Sequence, residues 1–229
     1  MSGFLDAVVH APRVSVETLL GGRPLAVLAP HPDDETLGCG ALLFDAAARG
    51  SRCQVICVTD GSRSHPHSRR WPAPRLAAER RGELRRAMAI LAPRARIDWL
   101  GHPDGAAPSD AESARHVCAL LPDRALVLAS WAGDPHVDHE NVARLARHVS
   151  AHRPDIALAF YPIWGRFGDR PAPVRLIRAS AAARAAKARA LACHRTQMSA
   201  LIDDDAGGFV MEDWRQAHFL DHPEIVIAA

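Results

Sequence analysis

The sequence predicts an α/β protein built on a doubly wound, mostly parallel sheet with helices on both faces. Short apolar runs rich in β-branched residues alternate with longer segments in which apolar residues recur every three or four positions. This alternation is typical of βαβ units. The chain has 229 residues, 48% of them hydrophobic, which suits one core better than two. We therefore expect a single Rossmann-like domain over residues 1–229.

Five strands are expected before residue 162, and a sixth near residue 225. These strands are residues 25–29, 54–59, 97–100, 126–130, 156–161 and 224–227. The predicted helices are residues 37–49, 76–91, 111–121, 141–152 and 179–198. In a sheet of order 3-2-1-4-5, the first and fourth of these strands are neighbours. The loops that follow them should therefore meet at one edge of the sheet.

One irregular segment is unusually long. Residues 61–74, GSRSHPHSRRWPAP, exceed the usual loop length. They follow a predicted strand at the end where sheets of this kind bind ligands. We expect a mobile lid there.

Composition argues against several classes of protein. The 28 basic and 26 acidic residues leave a net charge of only +2, which gives little support for nucleic-acid binding. No apolar run approaches the roughly 18 residues that a membrane span needs. The five cysteines include no CxxC pair, so neither a disulfide framework nor a thiolate zinc site is indicated. We expect a cytoplasmic protein with a small-molecule substrate, and homo-oligomerisation is left open.

The first predicted strand is followed by the run PHPDDET, residues 30–36. It places one imidazole and three carboxylates at the carboxyl edge of the sheet, where acids are costly to assemble without a cation. A structural explanation also exists, because Asp34 or Thr36 could cap the next helix and His31 could be an ordinary hydrogen-bonded histidine.

The fourth predicted strand is followed by WAGDPHVDHE, residues 131–140. If its last residues open the next helix, His136 and His139 can face the same way. Zinc prefers imidazole and carboxylate ligands, and a catalytic site uses three of them with one position open. His31, Asp34 and His139 satisfy that requirement. Asp33 is then free to take a proton from water, and His136 to stabilise developing charge.

Together, PHPDDET and HVDH closely resemble the PIG-L or LmbE-like deacetylase family, whose patterns read roughly HPDDE and HxDH. The resemblance implies zinc ligands at His31, Asp34 and His139. It also implies a general base at Asp33, an oxyanion-stabilising histidine at His136 and an orienting acid at Asp138.

Weaker matches to the family extend over most of the chain. They are VTDG at 58–61, RRGE at 80–83, LGHPDG at 100–105 and KARALACHRTQ at 187–197. By analogy, Arg80 and Asp104 contact polar groups of the substrate. An arginine on an arginine-rich helix is more often solvated, however. The isolated histidines at 65, 67, 102, 152 and 194 are assigned no role.

The resemblance implies a hydrolase with one Zn²⁺ per chain that removes an acyl group, with acetyl the expected one, from an amino sugar, a glycoconjugate or a related small molecule. Two alternatives stay open. A phosphoacceptor domain of the response-regulator type also has paired aspartates after its first strand, but it would leave His31, His136 and His139 unused. A catalytically silent sugar-binding module would tend to lose Asp33.

Overall fold

The computed structural model describes residues 4–229. Its strands are β1 (Arg13–Ser15), β2 (Leu25–Ala29), β3 (Cys53–Thr59), β4 (Arg96–His102), β5 (Leu126–Ser130), β6 (Ala157–Tyr161), β7 (Val174–Arg178) and β8 (Ile225–Ala228). Its α-helices are α1 (Phe4–Val9), α2 (Val16–Leu20), α3 (Asp34–Ala48), α4 (Ala73–Leu91), α5 (Ala111–Leu120), α6 (Val137–His152), α7 (Ala181–Leu191), α8 (Arg195–Met198) and α9 (Asp213–Asp221). A 3₁₀ turn covers Gly165–Phe167. None of the helices described is both long and apolar enough to cross a membrane.

The described strands form one sheet in the order β1-β7-β8-β6-β5-β2-β3-β4. Its five central strands, from β6 to β4, are parallel and have the predicted order. Strand β8 is antiparallel to both β6 and β7, and β1 pairs with β7 in parallel. The predicted doubly wound, mostly parallel sheet is confirmed.

Apolar layers cover both faces of the sheet. Strands β2, β3 and β5 are buried at every position, as expected for strands with helices on both sides. On one face, Val27 belongs to a core shared with Leu42 of α3 and Leu84 of α4. On the other, Leu28 belongs to a core shared with Val142 of α6. The ends of the central strands are thereby held rigidly.

Several elements differ from the sequence-based expectation. Helix α3 starts three residues earlier than expected, at Asp34. The single helix predicted at 179–198 is two helices, α7 and α8, because the chain turns between them and buries the side chain of His194. Strands β1 and β7 were not predicted: β1 has only three residues, and β7 carries exposed arginines at two of its five positions.

A buried ion pair joins α3 and α7 to the start of β8. Lys187 Nζ donates to Glu224 Oε1 at 2.8 Å and to the carbonyl of Leu37 at 2.7 Å. The carboxylate of Glu224 also accepts the backbone N–H groups of Ala41 and Leu42. This pair fixes the position of α3 relative to the last strand.

Close packing of α3 on the sheet leads to a stability prediction. At Gly38, a Cβ atom would overlap the ring of the fully buried Tyr161. Gly38→Ala should therefore lower the free energy of unfolding by about 1–3 kcal/mol, the usual cost of overpacking a core. The measurement is urea denaturation followed by circular dichroism.

Gly82→Ala in α4 is the matched control. There, a Cβ would lie 3.2 Å from the end of the half-exposed Arg86 side chain, which can move. Alanine in this helix should raise stability by about 0.5–1 kcal/mol. Equal urea midpoints for the two variants would contradict the packing argument.

Candidate active site

The loops that follow β2, β3, β4 and β5 surround a cavity of about 720 Å³ at the carboxyl edge of the sheet. Six of the eight residues singled out in the sequence line this cavity, namely His31, Asp33, Asp34, Arg80, Asp104 and His136. The other two, Asp138 and His139, are fully buried beside it. The two sequence motifs thus meet where the strand order predicted.

The carboxylate of Asp34 lies between two histidines. Its Oδ2 is 3.3 Å from Nδ1 of His31 and 3.3 Å from Nε2 of His139. It also accepts the backbone N–H of His31 at 2.9 Å. Burial would raise the pKa of Asp34, but the positive charge of His139, reinforced by the charge and hydrogen bond of His31, holds that pKa well below its usual range.

The opposite nitrogen of each histidine meets a second carboxylate. His31 Nε2 lies 3.0 Å from Asp138 Oδ2 and 3.3 Å from Asp104 Oδ1. His139 Nδ1 lies 2.8 Å from Asp134 Oδ2. Burial opposes charge on both rings, yet these carboxylates and Asp34 raise the pKa of His31 well above its usual value and that of His139 to about 9. Such pairs fix the tautomer and the orientation of a histidine.

This arrangement fits a zinc ion. Among the described residues, the buried Nε2 of His139 has no hydrogen-bond partner. It lies 3.3 Å from Asp34 Oδ2, which is itself 3.3 Å from His31 Nδ1. Two imidazole nitrogens and one carboxylate oxygen form a donor set that catalytic zinc prefers. His31, His136 and His139 also bring one nitrogen each within 4.8 Å of one another. His136 is therefore the alternative third donor.

Asp33 lies next to this cluster in an unusual backbone conformation. Its φ angle is 150°, which for a residue with a Cβ costs on the order of 1–3 kcal/mol. Asp33 Oδ2 lies 3.2 Å from a guanidinium nitrogen of Arg80. Burial raises the pKa of Asp33 to about 6, against the opposing charge of Arg80. A carboxylate with a raised pKa is suited to moving protons near neutrality.

Arg80 is not on the solvated face of its helix. It is 3% exposed, and it donates to the carbonyls of Gly61 at 2.8 Å and Pro32 at 3.1 Å. Its guanidinium therefore forms part of the cavity wall next to Asp33.

The ring of His136 is anchored by the backbone of Asp138. Nδ1 of His136 accepts the N–H of Asp138 at 3.2 Å, which leaves Nε2 to carry the proton of the neutral ring. Burial and the neighbouring charges of His31 and His139 lower the pKa of His136. The neutral form is thereby favoured.

The carboxylate of Asp138 has a different partner from the one that the resemblance implied. It contacts His31 and accepts the backbone N–H groups of Gly105 at 2.7 Å and Ala107 at 2.9 Å. Asp138 thus contacts His31 through its carboxylate and His136 through its backbone N–H.

The segment at 61–74, for which a mobile lid was expected, is held by the acidic turn at 203–205. Asp204 accepts from Ser68 Oγ at 2.6 Å and from two backbone N–H groups, and Asp205 accepts the N–H of His67 at 2.8 Å. Arg70 forms an ion pair with Asp203. Arg63 and Ser64 reach the cavity from this segment.

Sequence reasoning missed several residues of the site. Asp134 was visible beside the second motif, but only the fold shows that it contacts His139. The aromatic wall of the cavity is Trp164, Phe167 and Phe209, whereas Trp131, the tryptophan nearest the motif, is buried against Phe4. Trp164 stood out only as a tryptophan in a loop, where stacking on a sugar is one use and burial the commoner one. Phe167 and Phe209 lie outside the predicted strands and helices, where no local pattern marked them.

A buried pair of ionisable residues next to Asp33 was also missed. Glu35 and His194 are fully buried and lie 3.3 Å apart. An isolated histidine in a helical pattern offered no signal of this contact.

Comparisons with known proteins agree with the geometry. The family model "PIG-L: GlcNAc-PI de-N-acetylase" matches residues 26–150. A 1D-myo-inositol 2-acetamido-2-deoxy-alpha-D-glucopyranoside deacetylase of Mycolicibacterium gilvum (strain PYR-GCK) is 42% identical over 67 residues. That match covers 27% of this chain and about a quarter, 24%, of the relative.

Two solved structures share the fold. N,N'-diacetylchitobiose deacetylase from Pyrococcus horikoshii has a TM-score of 0.63 at 23% identity, over 76% of this chain and 70% of that one. The zinc-inhibited form of teicoplanin deacetylase Orf2 has a TM-score of 0.67 at 19% identity, over 89% of this chain and 97% of that one. At these identities, the similarity shows the fold alone.

The contact between Asp134 and His139 yields a prediction about metal affinity. Asp134→Ala should weaken zinc binding about 10- to 100-fold, because the orientation of His139 and the tautomer that frees Nε2 would no longer be fixed. Competition with a chromophoric chelator measures the affinity.

Asp123→Ala is the control, since the side chain of Asp123 is 98% exposed and its one ion pair within residues 4–229 is with Arg153. Its zinc affinity should equal that of the wild type. If the zinc affinity of Asp134→Ala were unchanged, His139 Nε2 would not be one of the zinc ligands.

Proposed function

Because the chain belongs to the PIG-L family, we propose that it is a zinc-dependent amide hydrolase that removes an N-acyl group, acetyl above all, from an amino sugar or a related glycoconjugate. The observation that carries the proposal is the convergence of His31 Nδ1 and His139 Nε2 on Asp34 Oδ2, beside a cavity that Asp33 and His136 also line. We further propose one domain and one zinc ion per chain.

His31, Asp34 and His139 are the residues that would hold the metal. When bound, zinc supplies a Lewis acid for the amide carbonyl and favours deprotonation of water. Asp138 and Asp134 hold the outer nitrogens of the two histidines, so each ring can offer its inner nitrogen without rotating.

Asp33 is assigned the proton transfers. Its carboxylate takes a proton from water as the water oxygen bonds to the carbonyl carbon of the amide. The same proton then passes to the amide nitrogen as the C–N bond breaks, giving the carboxylic acid and the free amine. Arg80, 3.2 Å from Asp33 Oδ2, keeps the carboxylate directed at one position.

His136 is assigned the role of stabilising the negative charge that develops on the carbonyl oxygen. Its Nδ1 is occupied by the N–H of Asp138, so the proton of the neutral ring lies on Nε2 and can be donated. A donor held in place before the reaction requires little rearrangement in the transition state.

Arg80 and Asp104 are the proposed contacts for polar groups of the substrate. Both line the cavity, and their charges are opposite. The volume of about 720 Å³ is large enough for a sugar with an attached group. The aromatic wall of Trp164, Phe167 and Phe209 offers a surface on which a sugar ring or an apolar substituent can stack.

The direct test combines metal analysis with an amine-release screen over N-acetylated amino sugars. We expect about one zinc per chain and release of free amine from at least one substrate.

The Asp33→Asn variant should retain both its zinc and its fold, but its kcat should fall about a hundred- to ten-thousand-fold, because the amide side chain cannot accept the proton. Near-wild-type turnover in Asp33→Asn would overturn the mechanism. A zinc-loaded wild type that binds these sugars without turnover would favour the silent binding module.

His136→Ala tests charge stabilisation separately. It should lower kcat about a hundred- to a thousand-fold with zinc retained, since one donor to the oxyanion is removed. His148→Ala is the control and should match the wild type, since His148 is an exposed histidine of α6, the helix that begins directly after His136. Loss of zinc from His136→Ala would instead make His136 a metal ligand.

A further inference from the structure

The backbone at Asp33 allows two consecutive carboxylates to face one site. Neighbouring side chains on an extended chain point apart, yet Asp33 and Asp34 both line the same cavity. The φ and ψ angles of Asp33 are 150° and −27°, a region that residues with a Cβ rarely adopt. Something in the surrounding structure must hold this conformation in place.

The peptide N–H of Asp33 has a buried acceptor. It donates to Oε2 of Glu35 at 3.0 Å. The other carboxylate oxygen, Oε1, accepts the hydroxyl of Thr36 at 2.5 Å and lies 3.3 Å from Nε2 of His194. Glu35 thus has one oxygen on the backbone of Asp33 and the other next to His194.

His194 lies in the turn between α7 and α8 and is fully buried. Its Nε2 is within reach of both Glu35 and Thr36, at 3.3 Å and 3.1 Å. Apolar residues of similar volume often stabilise a core as well as a buried polar pair does. Packing alone therefore does not account for a histidine at this position.

We propose that Glu35 and His194 form a positioning pair that holds the strained backbone of Asp33, so that its carboxylate faces the cavity. Neither residue touches the substrate. Glu35 acts through its hydrogen bond to the Asp33 N–H, and His194 acts by fixing the carboxylate plane of Glu35. The effect on turnover rests on the proposed role of Asp33, whereas the effect on backbone conformation does not.

The test compares Glu35→Ala, His194→Ala and His194→Gln with Glu224→Ala. Glu224 is a matched control because its buried carboxylate also accepts backbone N–H groups of α3 and pairs with a buried basic side chain, but it does not contact Asp33. For each variant, zinc content, kcat and KM are measured per folded protein. Crystal structures then give the φ angle of Asp33.

In Glu35→Ala we expect the φ angle of Asp33 to return to negative values, because its N–H loses its acceptor. In His194→Ala, kcat should fall about 10- to 100-fold with KM and zinc content unchanged, a loss typical of removing the buried partner of an active-site group. His194→Gln retains a donor and should recover most of that loss. If Glu35→Ala does not fold, the two His194 variants decide the question.

Two results would overturn the proposal: an unchanged φ at Asp33 in Glu35→Ala, or equal losses of kcat in His194→Ala and Glu224→Ala. A wild type without turnover would refute the proposed function instead. The φ angle of Asp33 would still report on the positioning pair in that case.

Discussion

The buried carboxylate of Asp34 is the group on which the arrangement of the site depends. A carboxylate removed from water must be compensated by positive charge or by hydrogen bonds. Here, His31 supplies both, and His139 adds positive charge. His31 follows β2, whereas His139 lies in the first turn of α6, after β5. Neutralising Asp34 therefore requires β2 and β5 to be neighbours, which is the pairing that the sheet contains.

The two histidines are compensated in turn by further carboxylates, those of Asp134 and Asp138. Asp134 and Asp138 each hold one histidine and also accept backbone N–H groups from other loops, Asp134 from Ile163 and Gly165 and Asp138 from Gly105 and Ala107. Alternating positive and negative groups thus connect the loops after β2, β4, β5 and β6. The residues that would hold a metal also order the rim of the cavity.

Much of the fold and the centre of the site could be predicted from sequence. The alternation of apolar runs predicted the five central strands and their order, and PHPDDET and HVDH pointed to residues that the structure brings together. The sequence could not indicate that Arg80 is buried, because a helix rich in arginine has the same local pattern whichever arginine points inward. It also could not indicate the contact between Glu35 and His194. These two residues have 158 others between them along the chain and are brought together by tertiary packing.

The position of β8 sets an order of assembly. Of the strands that the structure describes, only β8 joins β7 and β1 to the rest of the sheet, since β8 lies between β6 and β7 and β1 pairs with β7. On a ribosome, the parallel layer from β4 to β6 can collapse early, whereas the far edge must wait until residues 225–228 emerge. Pairings between distant segments form slowly and leave strand edges exposed meanwhile. A nascent chain therefore carries an unpaired β6 edge until β8 is in place.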